Sequence, residues 1–187
     1  MLSLQDLFKN YYKLTPTESQ FYITLIWLPW SLKFLYGVTA DSVPVFGSRK
    51  KGWIIIWGLI QTVLLMVTAL VYIESIQVFV ALIHIVQVAG CFMDVIVDSL
   101  MVMQARRDPQ LGSQELQAFS WQITGGAAVV GGLTAAYFTS YLTPYWCLGI
   151  YSIFGFAIFV SAFAIDPQLE TESDLEYTAA LATDENG

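Results

Sequence analysis

Five stretches of nearly unbroken apolar residues alternate with short polar connectors along this chain, at about 20–40, 52–73, 75–104, 116–141 and 145–165. Each reaches the roughly 20 residues that a helix needs to cross the hydrocarbon core of a bilayer. The second, fourth and fifth contain no Asp, Glu, Lys or Arg, so none has the polar stripe of a soluble amphipathic helix. Glu74 and Ser75 separate the second from the third, residues 105–115 the third from the fourth, and Leu142, Thr143 and Pro144 the fourth from the fifth. Such short connectors predict an up-and-down bundle of antiparallel neighbours. Pro29 falls inside the first stretch and removes an amide donor there, which predicts a kink and a carbonyl in need of another donor.

Charge sets the direction of the bundle. Arg49, Lys50 and Lys51 lie in the connector at 42–51, Arg106 and Arg107 in that at 105–115, and the two intervening connectors carry no cation. Cytoplasmic connectors collect Lys and Arg, so residues 1–18 are expected outside and the C-terminal tail inside. The net charge of −7 comes entirely from Asp166, Glu170, Glu172, Asp174, Glu176, Asp184 and Glu185 of that tail. The reading is an extracytoplasmic segment 1–18, a five-helix bundle 19–165 and an acidic, disordered cytoplasmic tail 166–187. Only 12% of residues are charged, against about 25% in soluble domains, and nothing points to nucleic acid. No signal peptide is visible. Cys91 and Cys147 fall at different depths and read as packing residues.

The densest motif joins the first two stretches. Pro29, Trp30, Ser31, Lys33 and Gly37 lead into Asp41, Pro44, Gly47, Arg49 and Lys50. The glycine, the aspartate four residues on and the following cations resemble the signature loop of major facilitator superfamily carriers. Within that superfamily the run is similar to the folate-biopterin transporter family, with Phe34 where the family usually has proline. A looser second match runs through Asp94, Val95, Val97, Asp98 and Ser99, then Gly112, Ser113 and Gln117, then Trp121. Met103 and Gln104 stand where the family commonly has an acidic and a basic residue.

The resemblance implies an all-α integral membrane protein whose five or so transmembrane helices form a partial major-facilitator N-terminal bundle. A half-bundle of that superfamily has six helices, and residues 2–19 read as the last turns of a helix and a Pro-marked connector, so a first helix is expected upstream and a second half downstream. The function implied is transport of a folate- or pterin-like solute by alternating access. The alternative is a non-transporting scaffold or accessory subunit derived from a carrier half. The expected partners are the lipid bilayer, the solute, a coupling cation and a second half-bundle or homodimer partner.

Individual residues carry these expectations, each beside a plainer reading. Gly37, Asp41, Arg49 and Lys50, with Asp98 and Arg106, form the expected conformational latch, held by ion pairs at the cytoplasmic helix ends. A topology signal explains the cations but not the Gly-x-x-x-Asp spacing. Asp94 and Asp98 share one helix face about 6 Å apart; carboxylates at membrane depth mark solute or ion paths, while Asp98 could equally pair with Arg106 at the interface. Lys33 is suited to a ligand carboxylate or carbonyl, and also to snorkelling toward the inner surface. His84 reads as a proton relay or as a hydrogen-bonded packing residue. Trp30, Trp121 and Gln122 complete the candidate pocket, with the indoles as stacking faces for a flat ring, whereas Trp53 and Trp146 open segments as interfacial anchors. Gly125, Gly126, Gly131 and Gly132 suit close helix packing. No nucleophile elbow, phosphate loop or Cys/His metal set is present. An enzyme is therefore not expected, nor any cofactor.

Overall fold

A computed structural model describes residues 2–106, 112–141 and 143–165, and within them every extended element is helical. Arg107 and the acidic segment 166–187 lie outside the described residues. The chain starts with α1 (Leu2–Asp6), which runs into a π-helical turn over Leu7–Tyr11. A capping box then opens α2 (Pro16–Trp27): the Glu18 amide donates to Thr15 Oγ1 at 3.3 Å and the Thr15 amide donates to Glu18 Oε2 at 2.9 Å. Pro16 occupies the first helical position, where a missing N–H costs nothing.

The expected kink at Pro29 takes the form of a 3-10 turn over Leu28–Leu32, after which α3 continues over Lys33–Ser42. The long antiparallel helices α4 (Lys51–Leu70), α5 (Ile76–Ala105), α6 (Gly112–Tyr141) and α7 (Tyr145–Ser161) follow. Among the described residues, Pro16–Ser42, Lys51–Leu70, Ile76–Ala105 and Tyr145–Ala164 are long and apolar enough to cross a membrane. The fifth long helix, α6, is not among these four, because Gly, Ala, Ser and Thr replace much of the branched aliphatic content found in the others.

Close helix packing occurs between α4 and α7. A Cβ added at Gly58 would lie 3.1 Å from the Phe159 Cα, and one at Gly155 would lie 3.1 Å from Thr62 Oγ1. Small residues therefore let two apolar helices approach backbone to backbone, which in lipid replaces a hydrophobic driving force with dispersion contacts. On α6 the glycines behave differently: Gly125, Gly126, Gly131 and Gly132 face open space among the described residues.

Two buried clusters hold opposite ends of the bundle. One gathers Leu7, Phe8, Ile23, Ile26, Phe79, Val80 and Ile83, with Ile73 and Tyr145 packed against it. The Tyr12 hydroxyl donates to the Ile73 carbonyl at 2.6 Å, and burial followed by the neighbouring Tyr145 raises its pKa above the ordinary tyrosine value. That keeps the donor protonated. The other cluster joins Ala40, Ile54, Phe92, Ile96 and Ala162 at the end that carries the α3–α4 loop. Lys51 Nζ there donates to the carbonyls of Phe163 and Ile165, at 3.1 and 2.9 Å, neutralising the negative end of the α7 dipole.

Candidate functional site

Pro29 organises the first site. Lacking an N–H, it cannot bond the Leu25 carbonyl four residues back; that oxygen accepts instead from the Leu28 amide and from His84, whose ring Nδ1 lies 2.9 Å away. His84 thus supplies the donor that the proline lacks, with its proton on Nδ1. A 3-10 turn has three residues per revolution, so side chains three apart eclipse each other. Trp27, Trp30 and Lys33 fall in one such column. The two indoles stack with centroids 5.7 Å apart and planes at 30°, and Lys33 Nζ sits 4.6 Å from the Trp30 ring centre, within range of a cation–π attraction.

Lys33 also forms an ion pair with Asp94 of α5. One turn beyond Lys33, α3 meets α5 at Gly37 and Val95; a Cβ at Gly37 would lie 3.4 Å from Val95 Cγ1, in van der Waals contact. The pair remains open on one side, with Lys33 and Asp94 side chains 35% and 41% exposed. Trp27 and Trp30 are exposed to a similar degree. The arrangement is an aromatic shelf ending in a paired ammonium and carboxylate. A flat ring can stack on such a shelf, and an anionic ligand group can exchange with Asp94 for Lys33.

Asp98 lies one turn further along α5, exposed and without an ion pair among the described residues. It therefore adds a second carboxylate beside a single cation. Trp121 and Gln122 project from α6, both exposed, and make no hydrogen bond or ring contact with this cluster. Of the expected pocket residues, the structure brings together Trp30, Lys33 and Asp94; His84 is engaged at the kink. Trp27 was not among the expected pocket residues. Its signal was available in the spacing of three around a proline that forces a 3-10 turn.

The second site is the α3–α4 loop. Asp41 forms an ion pair with Lys50, whose side chain is only 7% exposed while that of Asp41 is 66% exposed. Ser48 Oγ accepts from the amides of Lys50 and Lys51 at 3.3 and 2.9 Å, satisfying the amide that opens α4. Val45 and Ser48 exchange backbone hydrogen bonds of 2.9 and 3.1 Å across a two-residue turn, in which Phe46 and Gly47 have φ of 51° and 78°. Trp53 Nε1 donates to the Val43 carbonyl at 2.9 Å. Gly52 leaves no room for a side chain, since a Cβ would fall 2.1 Å from the Val45 oxygen. Arg49 is exposed in the same loop. Arg106 is exposed at the end of α5, and the structure does not join it to Asp98 in an ion pair.

Comparison with known proteins follows the same lines. The BT1 family profile matches residues 1–173. Folate-biopterin transporter of Synechocystis sp. is 32% identical over 136 residues, which are 73% of this chain and 26% of that protein. Probable folate-biopterin transporter 4 of Arabidopsis thaliana is 30% identical over 140 residues, 72% of this chain and 28% of its own length. Putative folate transporter 2 of Plasmodium berghei is 28% identical over 141 residues, covering 75% of this chain and 30% of the relative. The chain thus spans less than a third of each of these proteins. No solved structure matches it. Apolar spans and relatives of this kind make it a multi-pass membrane protein. The chain belongs to the BT1 family.

Proposed function

We propose that this chain is part of a carrier that moves a folate- or pterin-like solute across a membrane by alternating access. The observation that carries this reading is the column Trp27–Trp30–Lys33 closing on Asp94 at an open face of the bundle. A pterin ring stacks on the indoles, and the carboxylate of a folate-like solute takes the place of Asp94 on Lys33. Asp94 and Asp98 are the site for a coupling cation, because two carboxylates near one ammonium leave a net negative charge at membrane depth. The opposite wall of the pocket comes from a second half-bundle or a homodimer partner, and Trp121 and Gln122 join the pocket when α6 closes against it. Gly37, Asp41, Arg49, Lys50, Asp98 and Arg106 serve as the latch at the cytoplasmic end, with residues 42–51 facing the cytoplasm.

The test is reconstitution into liposomes followed by uptake of labelled folate and biopterin, with this chain alone and with a complementary half-bundle from a relative. Saturable uptake only in the combined sample is expected, and Lys33→Gln should abolish it. A second reading, a non-transporting scaffold, draws on Met103 and Gln104 at the positions of the family's charged pair. It is favoured if the combined sample is assembled yet silent.

A further inference from the structure

We propose that the tip of the α3–α4 loop is a membrane-interface finger, with the Phe46 ring inserted among lipid headgroups. Phe46 is 81% exposed, makes no aromatic contact with any described residue, and adopts a φ of 51°, a left-handed conformation that is costly for a residue with a Cβ. The rest of the loop is tightly held. Val45 and Ser48 close the turn through two backbone hydrogen bonds, Ser48 Oγ accepts from the amides of Lys50 and Lys51, Lys50 is buried against Asp41, and Trp53 holds the Val43 carbonyl. A loop braced at every neighbouring position projects one large apolar ring outward at the cost of backbone strain.

The height of the turn identifies what covers the ring. Val45 touches the backbone of Gly52, in the first turn of α4, so closely that no side chain fits between them. The turn therefore folds back against the first turn of α4 instead of standing off from it, which puts Phe46, next to Val45, near the start of a helix long and apolar enough to span a membrane. That level is the bilayer interface, where amphipathic rings such as Trp are enriched.

The experiment uses the full chain with Phe46 replaced by 4-fluorophenylalanine, in nanodiscs of phosphatidylcholine and phosphatidylglycerol. Fluorine relaxation is measured with a lipid carrying a nitroxide near its glycerol backbone, then with a water-soluble gadolinium chelate. Relaxation several-fold stronger from the lipid nitroxide is expected. Stronger relaxation from the chelate, which means a solvated tip, overturns the proposal, and so does shielding from both reagents, which means a protein contact. Phe46→Asn gives a second measure, because asparagine suits positive φ better than phenylalanine. Its unfolding midpoint in liposomes should fall; a rise would show that the ring contributes nothing to the lipid-bound state.

Discussion

Two lysine–aspartate pairs in this molecule share their chemistry and differ in everything around it. Lys50–Asp41 joins residues nine apart in sequence, its lysine is buried, and the turn, the Ser48 hydrogen bonds and the indole bond lie around it. Lys33–Asp94 joins residues 61 apart, both partners are about one-third to two-fifths exposed, and it bridges α3 and α5 near where Gly37 meets Val95. A pair held locally on all sides is suited to fixing the shape of a loop. A pair spanning two helices beside an open face is suited to exchange with a ligand.

The largest expected effect breaks the local frame. Gly52→Ala places a methyl where the Val45 carbonyl oxygen already stands, at 2.1 Å, and since the obstacle is backbone no side chain can move aside. A loss on the order of 3 kcal/mol, at the upper end of ordinary single substitutions, is expected. Thermal unfolding in detergent measures it. An unchanged midpoint would mean that the loop does not depend on this contact.

The inner pair should respond to charge more than to shape. Asp94→Asn strands an ammonium at membrane depth, for which insertion scales give about 2.5–3.5 kcal/mol, reduced here because the site is partly open. Lys33→Gln in the same chain removes the stranded charge, so the double variant should recover most of the lost stability. It should not recover binding of a folate-like ligand. A double-mutant cycle combining unfolding midpoints with ligand-induced tryptophan quenching separates the two readouts. Additive losses in the cycle would show that the ion pair is not a coupled unit.

Asp41→Asn sharpens the contrast at smaller amplitude. Its carboxylate is 66% exposed, but Lys50 is only 7% exposed, so the substitution takes the carboxylate away from a buried ammonium and folding should lose somewhat more than the about 1 kcal/mol of a surface pair. In an assembled carrier, uptake kinetics should nevertheless change strongly, because the latch acts on the balance between two states. Uptake identical to the parent would reduce the Gly37 and Asp41 spacing to a topology signal.

The uneven legibility of the chain has the same origin as the contrast between the pairs. Helix positions followed from apolar runs, and the loop followed from Gly37, Asp41, Pro44 and Gly47, because those signals are local. The kink at Pro29 was readable too, and so was the need of the Leu25 carbonyl for a new donor; that the donor is His84, 59 residues away, was not. The partner of Lys33 could not be derived from periodicity, since Asp94 and Asp98 lie on one face of α5 and only the seating of α3 decides between them. Glycine spacing pointed to α6, whose glycines meet nothing among the described residues, whereas close packing is seen at Gly58 and Gly155. Spacing marks a surface that permits close approach, and another helix must be there to use it.

That last distinction yields the smallest effect and a test of assembly. Gly58→Ala must push against the Phe159 backbone at 3.1 Å, so α4 and α7 have to separate by a few tenths of an ångström and some of their dispersion contact is lost. Gly132→Ala meets open space in this chain, and replacing an exposed helical glycine by alanine stabilises by about 0.5–1 kcal/mol. In the isolated chain the two substitutions should therefore have opposite signs when unfolding midpoints are compared in one detergent. If a second half-bundle packs on α6, Gly132→Ala should lose its benefit in the assembled protein and weaken association, because the added methyl then occupies the contact surface. A Gly132→Ala variant that is equally stabilising alone and in the assembly would leave the α6 glycine face outside the interface and move the expected opposite wall to another side of the bundle.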